Sequence, residues 1–229
     1  MNTGQFWKLI ADARARAADA ADSEAVAAQA TILLSAFPPP EIVANEPVLQ
    51  GLMAASYRTL LWAAASLING GCSDDGFDYF RGWLIGQGRE VFGRTVADPD
   101  SLADLPVIGP PRIGKPPIEC EDTLYIVMRA HKTATGQEIP ADAFTIRYPE
   151  LEEAIWHFAG RSELARRLPR LTSLCWPDVT DGDTNGLDQV RRRSPHPVPG
   201  RRAQPAAMAY LMPRHAPECG RHETCNPTH

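Results

Sequence analysis

Apolar positions recur every three or four residues through most of the first 175 positions, the spacing of helices rather than strands. Phe6, Leu9, Ile10, Ala13 and Ala17 fall on one face of an opening helix, with Lys8, Asp12, Arg14 and Arg16 elsewhere and Thr3 placed to cap it. Ser23 then caps an Ala-rich helix whose apolar side holds Val26, Ala30, Leu33 and Leu34, and Pro38, Pro39 and Pro40 stop it. The strongest periodicity follows Pro47. Leu49, Leu52, Met53, Tyr57, Leu60, Leu61, Ala64, Leu67 and Ile68 predict one long core helix, ended by Asn69, Gly70 and Gly71.

Ser73 is placed to cap the next helix, whose first turn carries Asp74 and Asp75, charges favoured by the helix dipole. In it Phe77, Phe80 and Leu84 form a stripe, Tyr79 and Trp83 form a second pair, and Gly82 and Gly86 leave room for close approach of another helix. Gly88 bends the chain into a short helix over Glu90 to Val96, which stops before Asp98, Pro99 and Asp100. The Pro/Gly-rich stretch Pro106 to Pro117 reads as a surface loop. Cys120, Leu124, Val127, Met128 and His131 share a further helical face, closed by Gly136. Helices are predicted from about Pro149 to Gly160 and from Ser162 onward, the last with Leu164, Leu168 and Leu171 on one side. Only Ala143 to Tyr148 has strand character.

These elements predict a mainly α-helical protein: a compact multi-helix bundle over residues 1–175, followed by a disordered C-terminal tail over 176–229. The tail is rich in Pro, Arg, Gly, His and Thr and has too little apolar surface to offset the entropy of ordering. A body of that length buries roughly 70% of its unfolded surface, enough for stability without metal or disulfide staples. The formal net charge is −5, unevenly spread: residues 1–110 carry 13 acids against 7 bases, and residues 190–229 carry 2 against 7. Such a body repels nucleic acid and anionic membrane. With no apolar signal segment at the start and no apolar run long enough to span a bilayer, the expectation is a cytoplasmic chain whose five cysteines are reduced thiols.

The run Leu67-Ile68-Asn69-Gly70-Gly71-Cys72-Ser73-Asp74-Asp75-Gly76-Phe77-Asp78-Tyr79-Phe80-Arg81-Gly82-Trp83-Leu84-Ile85, with Gln87-Gly88-Arg89-Glu90 and Asp98-Pro99-Asp100-Ser101-Leu102 after it, is distinctive. It resembles an uncharacterised bacterial family, domain of unknown function 4240. Phe6-Trp7, Tyr57, Trp62, Glu119-Cys120-Glu121 and Arg166-Arg167-Leu168-Pro169-Arg170-Leu171 fit the same pattern, so that the likeness covers most of residues 3–172. It implies a small helical domain without an assigned activity. Its relatives' association with a tryptophan-glycine-arginine module suggests nucleic acid only weakly. Asn45-Glu46-Pro47 departs from the family's usual continuous helix.

The sharpest chemical cluster is Asp74, Asp75, Asp78, Tyr79, Arg81, Trp83 and Arg89. One reading is a non-enzymatic binding or regulatory module for a protein partner, working through the Ser73 to Arg89 helix, with Tyr79, Arg81, Trp83 and Arg89 on one accessible face. The alternative is a metal-dependent, hydrolase-like enzyme in which Asp74, Asp75 and Asp78 hold a cation with help from Glu121 or His131. Both compete with plain architecture, since acids suit a first helical turn and Asp78 with Arg81 is an ordinary i,i+3 pair. Cys72 with His131 as nucleophile and base, Glu153 with His157, and the tail's His215, Cys219, His222 and Cys225 as zinc ligands are weaker candidates, and no cofactor is implied. Arg191-Arg192-Arg193 and Arg201-Arg202 in the tail could attract polyanions, against the commoner reading of such runs as solvated charge. Phosphate-binding loops, dinucleotide fingerprints and His-Glu-x-x-His or Gly-x-Ser-x-Gly motifs do not occur.

Overall fold

A computed structural model describes residues 2–110, 115–140, 143–145, 151 and 161–176, all within one compact unit, Met1–Ser194. The described residues form ten α-helices and two 3-10 turns with no strand, and the mainly α-helical class follows. Helix α1 (Thr3–Arg16) is capped one residue earlier than expected: Asn2, not Thr3, accepts from Gln5 N, and Asn2 N in turn donates to the Gln5 side chain. Helix α2 (Ser23–Ser35) is likewise capped by Asp22, whose carboxylate accepts from Glu24 and Ala25. A single carboxylate oxygen, Asp22 Oδ1, takes both N–H groups, and its charge suits the positive end of the helix dipole.

The three prolines after α2 stop it and also start α3 (Pro39–Val43), because fixed φ at the first helical positions suits a helix that needs no N–H there. Helix α4 (Glu46–Ala55) follows, with Pro47 in its first turn. The expected single long helix is two. Ser56 turns its hydroxyl back onto Leu52 O and Met53 O, Tyr57 N shifts its bond to Ala54 O, and Arg58 is extended before α5 (Thr59–Asn69) begins. Neither glycine nor proline marks the break, and the apolar three-and-four spacing runs across it.

Helix α5 is the centre of the fold. Leu61 to Ala65 are consecutively buried, with Leu67 and Ile68 beyond, as in a helix covered on all sides. Helices α6 (Asp74–Gly86) and α7 (Arg89–Ala97) lead to a 3-10 turn, Pro99–Asp104, and a second turn, Glu121–Tyr125, feeds α8 (Ile126–Thr135). The helix expected from Ser162 is split at Pro169 into α9 (Arg161–Arg167) and α10 (Pro169–Cys175). Leu164, Leu168 and Leu171 are buried as their spacing implied. The strand character assigned to Ala143–Tyr148, the helix from Pro149 to Gly160 and the tail after Trp176 lie wholly or largely outside the described residues. No described helix is long and apolar enough to cross a membrane.

One acid inside this core has a testable effect. Glu46 is 2% exposed; one carboxyl oxygen accepts from Gln50 Nε2 at 2.9 Å, while the other has no hydrogen-bond partner among the described residues. Burial pushes its carboxyl above the ordinary value of 4.5. The folded state therefore holds the proton more tightly than the unfolded chain, and ionisation at neutral pH costs stability. Glu46→Gln is expected to gain about 1 kcal/mol at pH 7. The gain should shrink as pH falls through the raised folded value and vanish below about 4.5, which urea melts at several pH values would check.

Candidate functional site around the start of helix α6

The chain leaves α5 through Gly70 at φ 70° and Gly71 at φ 128°, left-handed angles that glycine adopts without strain. Trp62 Nε1 donates to the carbonyl of Cys72 at 3.0 Å. Ser73 Oγ then accepts from Gly76 N at 3.0 Å, and Asp74 and Asp75 fill the first turn of α6. This part of the site forms as the sequence indicates.

A second segment is fastened alongside. Asn69 acts as a two-point clamp: its Oδ1 accepts from Ile118 N at 2.8 Å and its Nδ2 donates to Ile118 O at 3.2 Å. Cys120 N donates to Tyr79 O at 2.9 Å, and Tyr79 Oη donates to Glu121 at 3.3 Å. Gly82 is what admits the segment, because a Cβ there would stand 2.4 Å from Cys120 O and 2.6 Å from Leu124 Cδ1. Gly86 has no such neighbour within 4 Å, so the close approach occurs at Gly82 alone of the two. Gly82→Ala is expected to cost at least about 1–3 kcal/mol by overpacking, since a backbone carbonyl has to move. Gly86→Ala should be close to neutral, and thermal melts of the pair give the comparison.

Arg81 sits beneath this edge, 5% exposed, its guanidinium carbon 4.9 Å from the ring centroids of both Tyr57 and Phe77. Phe77 in turn stacks on Trp62 at 4.9 Å. One Arg81 nitrogen donates to Met53 O and another to the Asp78 carboxylate. The helix break explains the first bond. In an unbroken helix Tyr57 N would take Met53 O, and the break leaves that buried carbonyl for Arg81.

Electrostatics around Cys72 are one-sided. Burial first, then the charges of Glu119, Asp78 and Asp74, with Arg81 opposing, push its thiol up to about 12. Burial raises the Asp78 carboxyl despite Arg81, and raises Glu119, with Glu121 adding to the latter. A thiol held this far from ionisation is a poor nucleophile. His131, the candidate base for Cys72, sits midway along α8 and is engaged by the chain that follows it, its Nδ1 3.0 Å from Gln137 O. The nucleophile–base arrangement is therefore not built, and both residues are packing elements.

Of the seven residues singled out in the sequence, Asp74 and Asp75 are exposed, Asp78 and Tyr79 half-buried, and Arg81 and Trp83 buried. Arg89 is exposed but belongs to α7, beyond the bend at Gly88. The expected common face of Tyr79, Arg81, Trp83 and Arg89 does not exist, because the second half of α6 is enclosed on all sides, Phe80 to Gly86 being buried without interruption. The cation site is corrected too: Asp78 is committed to Arg81, and no group of three or more His, Cys, Asp or Glu among the described residues is arranged to hold a metal ion. Glu153, His157 and the tail's His and Cys residues lie outside the described residues. Asn69 and Glu119 join the site unforeseen as members, although the Glu119-Cys120-Glu121 run already stood out, and Glu121, expected as a helper to the aspartates, meets Tyr79 instead.

These features define a helical domain in which the turn before α6, the first half of α6 and the 118–125 segment are locked into one edge. A family model described as protein of unknown function (DUF4240) matches residues 1–133, and the chain belongs to that family. Neither a curated protein nor a solved structure matches it.

Proposed function

We propose that this chain is a non-enzymatic binding module whose working surface is the edge made by Asp74, Asp75, Asp78 and Tyr79 of α6 with Glu119 and Glu121, and whose partner presents a basic protein segment. The observation that carries the reading is the fastening of two distant stretches of chain, Cys120 N to Tyr79 O at 2.9 Å and Tyr79 Oη to Glu121 at 3.3 Å, which brings the charges of Glu119, Asp78 and Asp74 to bear together on Cys72, in addition to its burial. Where neighbouring negative charges make ionisation costlier, an arriving cation is stabilised by all of them at once. Arg81 serves that edge from beneath through its bond to Asp78, and Trp83 is buried in the core against Phe80. The same sign of charge argues against nucleic acid as the partner.

Fluorescence anisotropy with a labelled oligo-arginine peptide, and an uncharged oligo-glutamine control, tests it on the full chain. Binding is expected at low ionic strength and lost at about 1 M salt, where charges are screened within ~3 Å. Asp74→Asn, Asp75→Asn, Glu119→Gln and Glu121→Gln together should abolish it while the melting temperature moves little. Bound peptide should also speed alkylation of Cys72, because a nearby cation lowers the thiol pKa. Equal binding by the fourfold amide variant, or no binding at all, removes the reading.

A further inference from the structure

Helix α2 carries a surface that the acidic edge does not involve. From Ala25 to Pro40 the chain has 16 residues without one charged side chain. Val26, Ala27, Ala30 and Leu34 turn inward, and α2 packs against α1 and α8 through that side. The opposite side presents Ala28, Ile32 and Ala36, one turn apart, with Phe37 at the end. Ile32 is 58% exposed and Phe37 38%, two of the three exposed large hydrophobics among the described residues. Helices of soluble domains ordinarily place charge on the side facing water.

We infer that this face of α2 is a homodimer contact, in which two copies of the chain pack α2 antiparallel about a two-fold axis at Ile32. Two observations select a second copy as the occupant. The stripe reads the same in both directions about Ile32, so an antiparallel pair sets Ile32 on its mate and Ala28 on the other copy's Ala36, the self-complementarity that a two-fold contact requires. Charge gives the other. The chain carries a formal net charge of −5, so two copies repel overall, and a charge-free patch is where that penalty is smallest. Small Ala28 and Ala36 flanking the larger Ile32 also let the helix axes approach to the ~8–10 Å of close helix packing.

One helix face is smaller than the ~800 Å² per partner of a stable complex, so association belongs in the range of about 10 µM to 1 mM. Sedimentation equilibrium of the full chain across that range should show the weight-average mass rising toward twice that of a single chain. Ile32→Asp, on an exposed position, should leave the circular-dichroism melt unchanged and hold the mass at one chain throughout. The register is tested by charge pairing. Ala28→Glu alone and Ala36→Arg alone should each weaken association at least tenfold. The double variant sets the introduced acid of each copy against the introduced base of the other, twice per dimer, and should restore it. A single-chain mass for the wild type at every concentration overturns the inference. So does dimerisation of Ile32→Asp equal to wild type, or a double variant no better than the two singles.

Discussion

Arg81→Met is expected to lower the stability of the domain by about 3 kcal/mol, near the lower end of what breaking a buried ion pair costs. Methionine fills much of the same volume between Tyr57 and Phe77, so the loss isolates the guanidinium's polar work. Two groups lose their main partner. Met53 O is buried at the α4–α5 break, where no backbone N–H can replace Arg81 and only the Ser56 hydroxyl, at 3.2 Å and shared with Leu52 O, remains. Asp78 loses its cation too, but its side chain is 45% exposed and can rehydrate, which keeps the total from reaching 5 kcal/mol. Arg81→Lys should rescue only in part, because an ammonium cannot serve two partners in a fork and stacks less well on the rings. Asp78→Asn, which keeps an acceptor and leaves Met53 O served, should cost about 1 kcal/mol. Urea melts of the three variants rank them. A methionine variant as stable as wild type would show that the break is held by something other than Arg81.

The sequence already carried a sign of Arg81's burial. Phe77, Arg81 and Leu84 are spaced four and three apart, so the arginine lies on the apolar stripe and not beside it. Its charge drew attention to surface chemistry, whereas its register pointed inward. Turn chemistry was more legible: Gly70 before a helix that opens on Ser73, Asp74 and Asp75 has few other uses, and both the left-handed exit and the serine cap formed. The room left by Gly82 was legible, but not its occupant, since the Cys120–Leu124 segment lies about 40 positions away and nothing local encodes that pairing. The break at Ser56 was hidden for a related reason. Periodicity records which side of a segment is apolar and is blind to a change of axis that keeps the apolar side inward, as between Met53 and Leu60.

Asp100→Ala is expected to cost about 2–4 kcal/mol, because this side chain caps a helix 70 residues away. Helix α10 starts without a cap of its own: Leu168 at the cap position has no side-chain acceptor and Pro169 has no N–H. Asp100, 6% exposed in the Pro99–Asp104 turn, supplies both missing acceptors, taking Leu171 N at 2.9 Å and Arg170 N at 3.1 Å. With them go the charge–dipole attraction and the alignment of Leu168 and Leu171, both fully buried. At roughly 3 °C per kcal/mol for a domain of this size, the melting temperature should fall by about 6–12 °C. Asp100→Asn retains one acceptor oxygen and should lose about half as much. Asp104→Ala, which removes only the exposed pair with the Arg170 guanidinium, should lose far less. Hydrogen exchange separates local from global loss: if Asp100 is the anchor of α10, amides of Thr172 to Cys175 in Asp100→Ala exchange faster than those of α5 by more than the global destabilisation explains. Uniform acceleration across both helices would mean instead that α10 and the central helix open as one unit, with Asp100 a core residue of the whole and not the latch of its last helix.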